Sequence, residues 1–584
     1  MSDVGPFSLY GRWKQRLLPS LSRVLALIGL VIVIGLLPWL AGHDPALALL
    51  RARSGEQEAT PEVLASIRTA LNLADGPWAA LWRWLVGLVH GDAGRSWVSG
   101  HAILPSMLRA LGVSLTLMGA SLLVAVGVAA SVCQSAVRKG LRGRLTQTSS
   151  SVAIALTALP EYLLATALLL IFAVWWPLLP PFGWKGPLYL VLPALAMGIP
   201  AGGLLGRLAL DRIATVFNER WVTTWHIAGI SRVRVAGAVL RRVLPSLLPQ
   251  VALVITGLTG GAIAVEKIMA IPGIGRATLG AVMAQDMPVV QLGMLMLLAV
   301  AVIARLLAEA IGRWWQGAAM HQHSMPVATA IPRARSARVW VIVSIALLAV
   351  LMITGIGRDP WALSHARLAA PSWSLPLGAD ALGRDLLARL AHGALQTGGG
   401  ALLVVSGCLL IGGMVSLWPR AMAGIIDVAN AVPPTVAGIV IAALYGPSPR
   451  GAIVAVMLVS WAPLAAHAIT LRQELQAQPH MAMLPVLGVG ACRRFTHHVL
   501  PAMTLPLLRH AMLRLPGAAL ALAGLGFLGL GAQPPSPEWG ALLASAVPYM
   551  ERAPWGVAAP ALALVVLAIL AVSLTLLKPR RSQA

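Results

Sequence analysis

Reactive side chains are sparse in this 584-residue sequence, and their spacing excludes most chemistry. No Gly-x4-Gly-Lys-Ser/Thr string occurs, nor any Gly-Lys dipeptide, so the chain has no phosphate-cradling loop with which to hydrolyse a nucleotide. Histidines and carboxylates lack metalloprotease spacing, and no serine sits on a nucleophile elbow. Cys133, Cys408 and Cys492 are isolated, which indicates neither a disulfide framework nor a zinc knuckle. His321 and His323, within Met320 to Met325, have a spacing that a metal tract could use, but in a polar linker they read as solvated side chains. The sequence therefore predicts no catalytic residue, no metal and no cofactor in this chain. Its polar residues instead gather in two basic breaks. One, residues 487–501, holds Gly488, Arg493, Arg494, His497, His498, Leu500 and Pro501. The other, residues 228–249, holds Gly229, Arg232, Arg234, Arg241, Arg242 and Pro245. Each runs from a glycine through clustered cations to a basic pair and Val-Leu-Pro, so the chain reads as two related halves. The glycine permits a tight reversal, and the Leu-Pro step is expected to end a loop helix and start the next apolar segment.

The elements carrying these breaks are apolar throughout. With 58% hydrophobic and 11% charged residues and a mean hydropathy of +0.80, the chain is expected to be an all-α, polytopic membrane protein. A net charge of +24 raises the question of nucleic acid, but the cations sit in short loops between apolar runs, so the lipid bilayer is the expected partner and nucleic acid is not. Taking roughly twenty apolar residues per span gives about twelve spans. Six lie near 22–42, 107–131, 150–175, 188–210, 247–265 and 288–311, and six near 338–356, 398–418, 424–445, 451–470, 506–530 and 557–577. The stretch after Arg12, Lys14, Arg16 and Arg23 is long enough to be a retained first helix rather than a cleaved signal. Lys and Arg collect at the amino terminus, at 138–144, 207–242, 333–338 and 472–494, and at 578–581, which places these segments and both termini in the cytoplasm. Loops with balanced charge, including Glu56, Glu58, Glu62, Asp75 and Asp92, face the other side. The expected organisation is a first half over 1–315, a cytoplasmic linker over 316–337 and a second half over 338–584.

Gly488, nine further residues, then His498, Val499, Leu500 and Pro501 resemble the cytoplasmic loop motif of the membrane subunits of bacterial ABC importers. In that family the loop forms a short coupling helix that docks on the ATPase subunit. The family's Glu-Ala-Ala positions are Ala482, Met483 and Leu484 here, and Thr223, Thr224 and Trp225 in the first half. The run from Leu375 to Arg389, with Gly378, Asp380, Gly383, Arg384 and Asp385, and the run from Phe527 to Gly540 followed by Ala553, Pro554 and Trp555, resemble one permease of the dipeptide, oligopeptide, nickel and opine importers. Gly91 to Ser96, Glu266 to Arg276 and Asp286 to Gln291 resemble its partner permease. The resemblance implies two permease subunits of six helices each, fused in one chain in the bacterial inner membrane. It also implies cytoplasmic ATPase subunits that bind the ATP, a periplasmic or other extracytoplasmic substrate-binding protein, and small peptides or nickel- and opine-type metal chelates as cargo. Gly229, Arg241, Arg242, Pro245, Gly488, His497, His498, Leu500 and Pro501 become the coupling-loop residues.

Two acidic sites stay open at this level. Glu266, beside a Pro-Gly-x-Gly break, either lines the translocation pathway or sits at the interface paired with Lys267 or Arg276. Asp380, Arg384 and Asp385 either present charge to a docking partner or, as the reading preferred here, form a cap and ion-pair cluster. The alternative function is an ion-coupled secondary transporter, for which two six-helix halves are equally natural and which requires acids at mid-helix depth. The charge pattern makes a direct prediction about sidedness. With the three native cysteines removed and single cysteines placed in turn, an impermeant thiol reagent applied to whole cells should label residues 54–96 and 380–389 and spare 135–147, 232–242 and 491–498. The reverse pattern would overturn the orientation.

Overall fold

Inside hydrocarbon every backbone N–H and C=O must find a partner within the protein, and a run of apolar residues does this by closing into a helix. The computed structural model describes residues 7–40, 46–47, 50, 60–70, 76–142, 151–157, 159–316 and 335–575. Among them regular structure is helical, and extended pairing is limited to two isolated bridges, Arg95 with Ala102 and Ala379 with Asp385. The linker tract with His321 and His323, the tail at 578–581, Arg144 and the acids Glu56, Glu58 and Asp75 lie outside the described residues.

Among the described residues eight helices are long and apolar enough to cross a membrane: Leu104–Gly140, Leu188–Phe217, Arg232–Ile268, Met287–Gly312, Arg338–Gly355, Leu386–Val415, Pro449–Gln476 and Pro554–Ala571. Two bent pairs, Pro419–Ala431 with Pro434–Tyr445 at 89° and Ala491–Met512 with Leu515–Leu528 at 42°, are apolar enough together, and the number is ten if each pair counts as one span. The two expected spans that fall short are the first, whose apolar helix is Ser20–Gly35, and the third, whose apolar helix is Glu161–Trp175. In the third, Pro160 lacks an N–H and disfavours helical geometry in the residue before it, so Ser151–Thr157 stops and a new helix starts at Glu161. Pro433 does the same in the second half, with nearly the same backbone (φ −64°, ψ 147° against φ −63°, ψ 142° at Pro160). The two halves thus share a proline-made break as well as a loop.

The chain divides into two compact units, each drawing on both sequence halves. One comprises Met1–Leu104, Ala281–Leu295 and Gln396–Gln533. Within it, the helix Phe7–Gly35 packs along Pro419–Ala431. Arg23 Nη2 donates to Asp427 Oδ2 at 2.5 Å, and the Gly424 amide donates to Ser22 Oγ at 3.1 Å. Gly424 has the backbone of Arg23 where a Cβ would point, which is why the two helices approach so closely here. Gln291 Nε2 donates to the carbonyls of Ile34 and Gly35 at 3.2 and 2.8 Å, occupying the open carbonyls at the end of the first helix.

The other unit comprises Pro105–Gly280, Met296–Leu395 and Pro534–Ala584. Small residues again set its packing: Gly198 and Gly202 meet Val124 and Val128 of Leu104–Gly140, and Gly203 meets Leu156 and the Thr157 amide. At one end of Leu188–Phe217, Ile213, Val216 and Phe217 join Val222, Val235, Val239 and Val243 in a continuous apolar cluster.

The Arg23–Asp427 contact joins the first helix to the second half of the sequence, and it yields a prediction. Both side chains are about a third exposed, so either single reversal, Arg23→Asp or Asp427→Arg, should cost on the order of 1–2 kcal/mol, less than for a fully buried pair. Thermal melts of the detergent-solubilised chain should show each single variant lowered and the double swap recovering most of the loss. A double swap no better than the singles would show that the pair is incidental.

Candidate functional site

The first candidate is the break after Arg232–Ile268. The chain leaves that helix with Ala270 at φ 53°, turns through Pro272 and Gly273, and re-forms as the short apolar helix Ile274–Met283. A helix starting here exposes its first amides to an interior without water. Ser114, on Leu104–Gly140, accepts from the Ile274 amide at 2.9 Å and donates to Glu266 Oε1 at 2.5 Å. Glu266 Oε2 accepts from the Arg276 amide at 2.9 Å. The pair therefore caps the helix Ile274–Met283 from outside it. Glu266 is 0% exposed, and Arg276 reaches it through the backbone. A Cβ at Gly273 would collide with the carboxylate, and one at Gly275 would collide with Ile263. A small apolar cavity lined by Leu111, Met118, Thr259, Ala262 and Leu297 adjoins the pair.

The second candidate is the charged segment before Leu386–Val415. Asp380 Oδ2 accepts from Arg384 Nε at 2.8 Å and from the Arg389 guanidinium, while Oδ1 accepts from the amides of Leu382 and Arg384 at 2.9 and 3.0 Å. Arg389 Nη2 also donates to the carbonyls of Pro535 and Ser536 at 2.9 and 3.2 Å. Asp385 accepts from the Leu387 amide at 2.8 Å and pairs with Arg358 at 2.9 Å. These charges point inward and bind two segments together, as the cap and ion-pair reading expected. Burial raises the Asp380 carboxyl, but the Arg384 and Leu382 amides and the Arg389 and Arg384 guanidiniums outweigh it and hold it below the usual carboxylate range. Its contribution to stability is therefore complete above about pH 4 and is lost only as the pH falls through that lowered value.

The third candidate is the pair of basic loops. Gly229 (φ 70°) follows the short helix Arg220–Ile227, and Gly488 (φ 76°) follows Pro479–Met483; both occupy the left-handed region that glycine adopts at little cost. Beyond Gly229 the helix Arg232–Ile268 runs without interruption through Arg241, Arg242 and Pro245. Beyond Gly488 a short helix, Ala491–Arg494, passes into a wide π-helical turn, Phe495–Val499, that carries His497 and His498, and then into Leu500–Met512. The Leu-Pro step therefore does not end a loop helix in the first copy, whereas in the second Leu500 and Pro501 open Leu500–Met512 directly after the π-helical turn. Pro245 is tolerated inside its helix, and Pro501 lies in a first turn, where its missing N–H costs little. The reversal belongs to the glycine alone.

Sequence reasoning did not single out the residues the loops leave uncovered. Ile227 and Val233 are 83% and 82% exposed, and Met483, Val486 and Leu487 are 56%, 77% and 71% exposed. They interrupt otherwise basic surfaces, next to Arg241, His497 and His498, which are also exposed. The first loop is the better anchored: Val222 is buried, Trp221 and Trp225 pack edge to face at 5.1 Å, and Arg242 Nε lies 2.7 Å from Glu219 Oε2. In the second, Met481 is the one buried residue of its short helix. Sequence reasoning also passed over Ser114, which no local motif marks, and Glu161, an acid directly after the Pro160 break that the span itself should have drawn attention to.

A family model described as the binding-protein-dependent transport system inner membrane component matches the chain twice, over residues 124–317 and 408–583. The Di/tripeptide transport system permease protein DppC of Pseudomonas aeruginosa is 36% identical over 226 residues, 35% of this chain and 73% of its own length. The Peptide transport system permease protein SapC of Escherichia coli is 32% identical over 241 residues, 38% of this chain and 81% of its own length. The Metal-staphylopine import system permease protein CntB of Staphylococcus aureus is 27% identical over 300 residues, half of this chain and 94% of its own length.

The cap at the start of Ile274–Met283 can be tested by amide exchange. Removing a capping side chain costs about 1 kcal/mol, so Ser114→Ala should speed exchange of peptides covering 274–283 severalfold while leaving those of Pro554–Thr575 unchanged. Unaltered exchange at 274–283 would contradict the capping role.

Proposed function

The chain belongs to the family of binding-protein-dependent transport system inner membrane components, and on that premise we propose that it supplies both permease halves of one ABC importer. Residues 1–315 and 338–584 would be the two halves and 316–337 the cytoplasmic linker. The cargo we assign is a small peptide or an opine-type metal chelate, handed over by an extracytoplasmic binding protein and driven by cytoplasmic ATPase subunits. What carries this reading is repetition. The family model matches twice, the relatives align with between about a third and a half of the chain, and each half carries a glycine-hinged loop with exposed apolar residues among its cations. Exposed apolar side chains grouped within a basic surface suit a protein partner.

Arg232–Ile268 suggests how such docking would reach the membrane interior. At 1.5 Å per residue its 37 residues span about 55 Å, with the first loop's Arg241 and Arg242 near one end and Glu266 at the other. A displacement of the loop would move the capped helix Ile274–Met283 through one rigid element. Glu266 then acts as the positioning residue at the far end of that lever, and the adjoining cavity makes it a candidate for the pathway wall. An ion-coupled transporter would need acids near its apolar spans free to exchange, and two of those here, Glu266 and Asp427, are tied to Ser114 and Arg23.

The coupling role of the loops predicts unequal effects of equal changes. A Cβ at Gly229 or Gly488 meets open space, so a valine at either is strained by the positive φ alone. Because the second loop keeps the family spacing and is less anchored, Gly488→Val should uncouple ATP hydrolysis from uptake more severely than Gly229→Val in reconstituted vesicles, with both variants reaching the membrane. Wild-type uptake and hydrolysis with Gly488→Val would remove the coupling assignment.

A further inference from the structure

We propose that the helix Pro77–Val89 lies in the plane of the bilayer surface, with Trp78 and Trp82 seated between headgroups and hydrocarbon, and that it anchors the far end of the first helix there. The occupant of its open face is lipid, not a protein. Its 13 residues are about 20 Å long, too short to cross a membrane, and yet much of what they turn outward is apolar. A helix of that kind has a stable place at an interface.

The helix has three faces, each suited to a different surrounding. Leu81 is buried, and a Cβ at Gly35 would come within 2.3 Å of its Cδ1 and 3.0 Å of the Trp84 ring, so this face is seated on Phe7–Gly35. Trp78, Trp82, Val86 and Val89 recur at intervals of four, four and three residues and form one exposed stripe. The two tryptophans are 68% and 69% exposed. Beyond that stripe lie Ala79, Arg83 and His90, again at helical spacing and exposed. Around the helix, protein contact thus gives way to an apolar stripe and then to a polar edge, the order in which a helix lying on a membrane meets protein, hydrocarbon and water. Tryptophan suits that boundary, because its ring is apolar and its N–H polar.

The first helix itself calls for such an anchor. Its apolar part, Ser20–Gly35, is about 24 Å long against a hydrocarbon core of about 30 Å, and a short span is accommodated by local thinning and by interfacial side chains at its end. Leu21, Val24, Leu25, Ile28 and Val33 on that helix are exposed, and hydrocarbon is what covers such side chains in a membrane protein. The open stripe of Pro77–Val89 is therefore attached to an element that already faces lipid. It is also held at its other end. The Asp92 amide donates to the Gly87 carbonyl at 2.8 Å, and beyond that turn Ser96 Oγ and the Trp97 amide both donate to the Asp286 carboxylate, the amide at 3.0 Å. Fixed at both ends, the helix keeps its stripe turned outward.

Single nitroxide side chains placed at residues 79, 82, 86 and 90 of the full chain, with the native cysteines removed, report the depth of the helix in lipid vesicles. Each label is tested for collision with oxygen, which concentrates in hydrocarbon, and with a water-soluble nickel complex present on both sides of the membrane. Labels at 82 and 86 should favour oxygen and lie about 5–10 Å below the headgroup boundary, whereas those at 79 and 90 should favour nickel. Trp78→Ser combined with Trp82→Ser should bring the label at 86 toward the water. Nickel reaching 82 and 86 as freely as 79 and 90 would put the stripe in water, and labels shielded from both reagents would show that protein covers it. Either result overturns the proposal, and so does an unchanged depth at 86 once both tryptophans are replaced.

Discussion

A backbone amide that leaves a helix within a bilayer has no water to bond, and leaving it bare costs about 1–3 kcal/mol. Several of the helix ends described here are closed by a side chain, whereas the breaks at Pro160 and Pro433 have no side-chain cap. Ser114 and Glu266 take the first amides of Ile274–Met283, Glu538 takes those of Trp539–Ala546, and Ser448 accepts from Gly451 at the start of Pro449–Gln476. Gln291 serves the carbonyl end of the first helix. These polar residues are what allow an apolar chain to interrupt its helices, and the interruptions are where its specific chemistry sits.

The same constraint explains how the loops and the membrane breaks are related. A continuous helix transmits displacement along its axis, whereas a break absorbs it. Arg232–Ile268 has no break between its basic end and Glu266, despite Pro245 and Pro249 within it. The second half distributes the equivalent path differently, through a wide turn and a 42° bend between Ala491–Met512 and Leu515–Leu528. The two halves resemble one another in loop and break, but their stiffness differs.

Hydropathy made the helical segments and their order legible, because twenty apolar residues in succession have few other outcomes. It did not show which spans are whole. The third reads as one run from 150 to 175, yet a single proline divides it, and the second half's equivalent bends by 89° at Pro433. The loop glycines were legible from spacing, and their positive φ supports that reading. The Leu-Pro step misled in the first copy alone, because a proline near a helix start looks the same in sequence whether the helix begins there, as at Pro501, or runs through it, as at Pro245. Ser114 was invisible for a different reason: its role depends on Glu266, 152 residues away, and no local pattern connects the two. Ile227, Val233, Val486 and Leu487 were hidden because exposure is a property of the folded surface, and apolar residues in an apolar chain attract no notice.

The contact between Arg23 and Asp427 spans 404 residues of chain. At about 5–20 residues per second, the ribosome takes roughly 20–80 s to bridge that interval. The first helix must therefore wait in the bilayer with its guanidinium unmatched until the ninth apolar segment has been synthesised. During that wait Arg23 can reach toward the headgroups, which holds the helix near one surface. Joining both halves in one polypeptide ensures that the carboxylate arrives on a tether rather than by chance encounter in the membrane. The order of synthesis thus sets the order of assembly, with the earliest helix among the last to be locked in place.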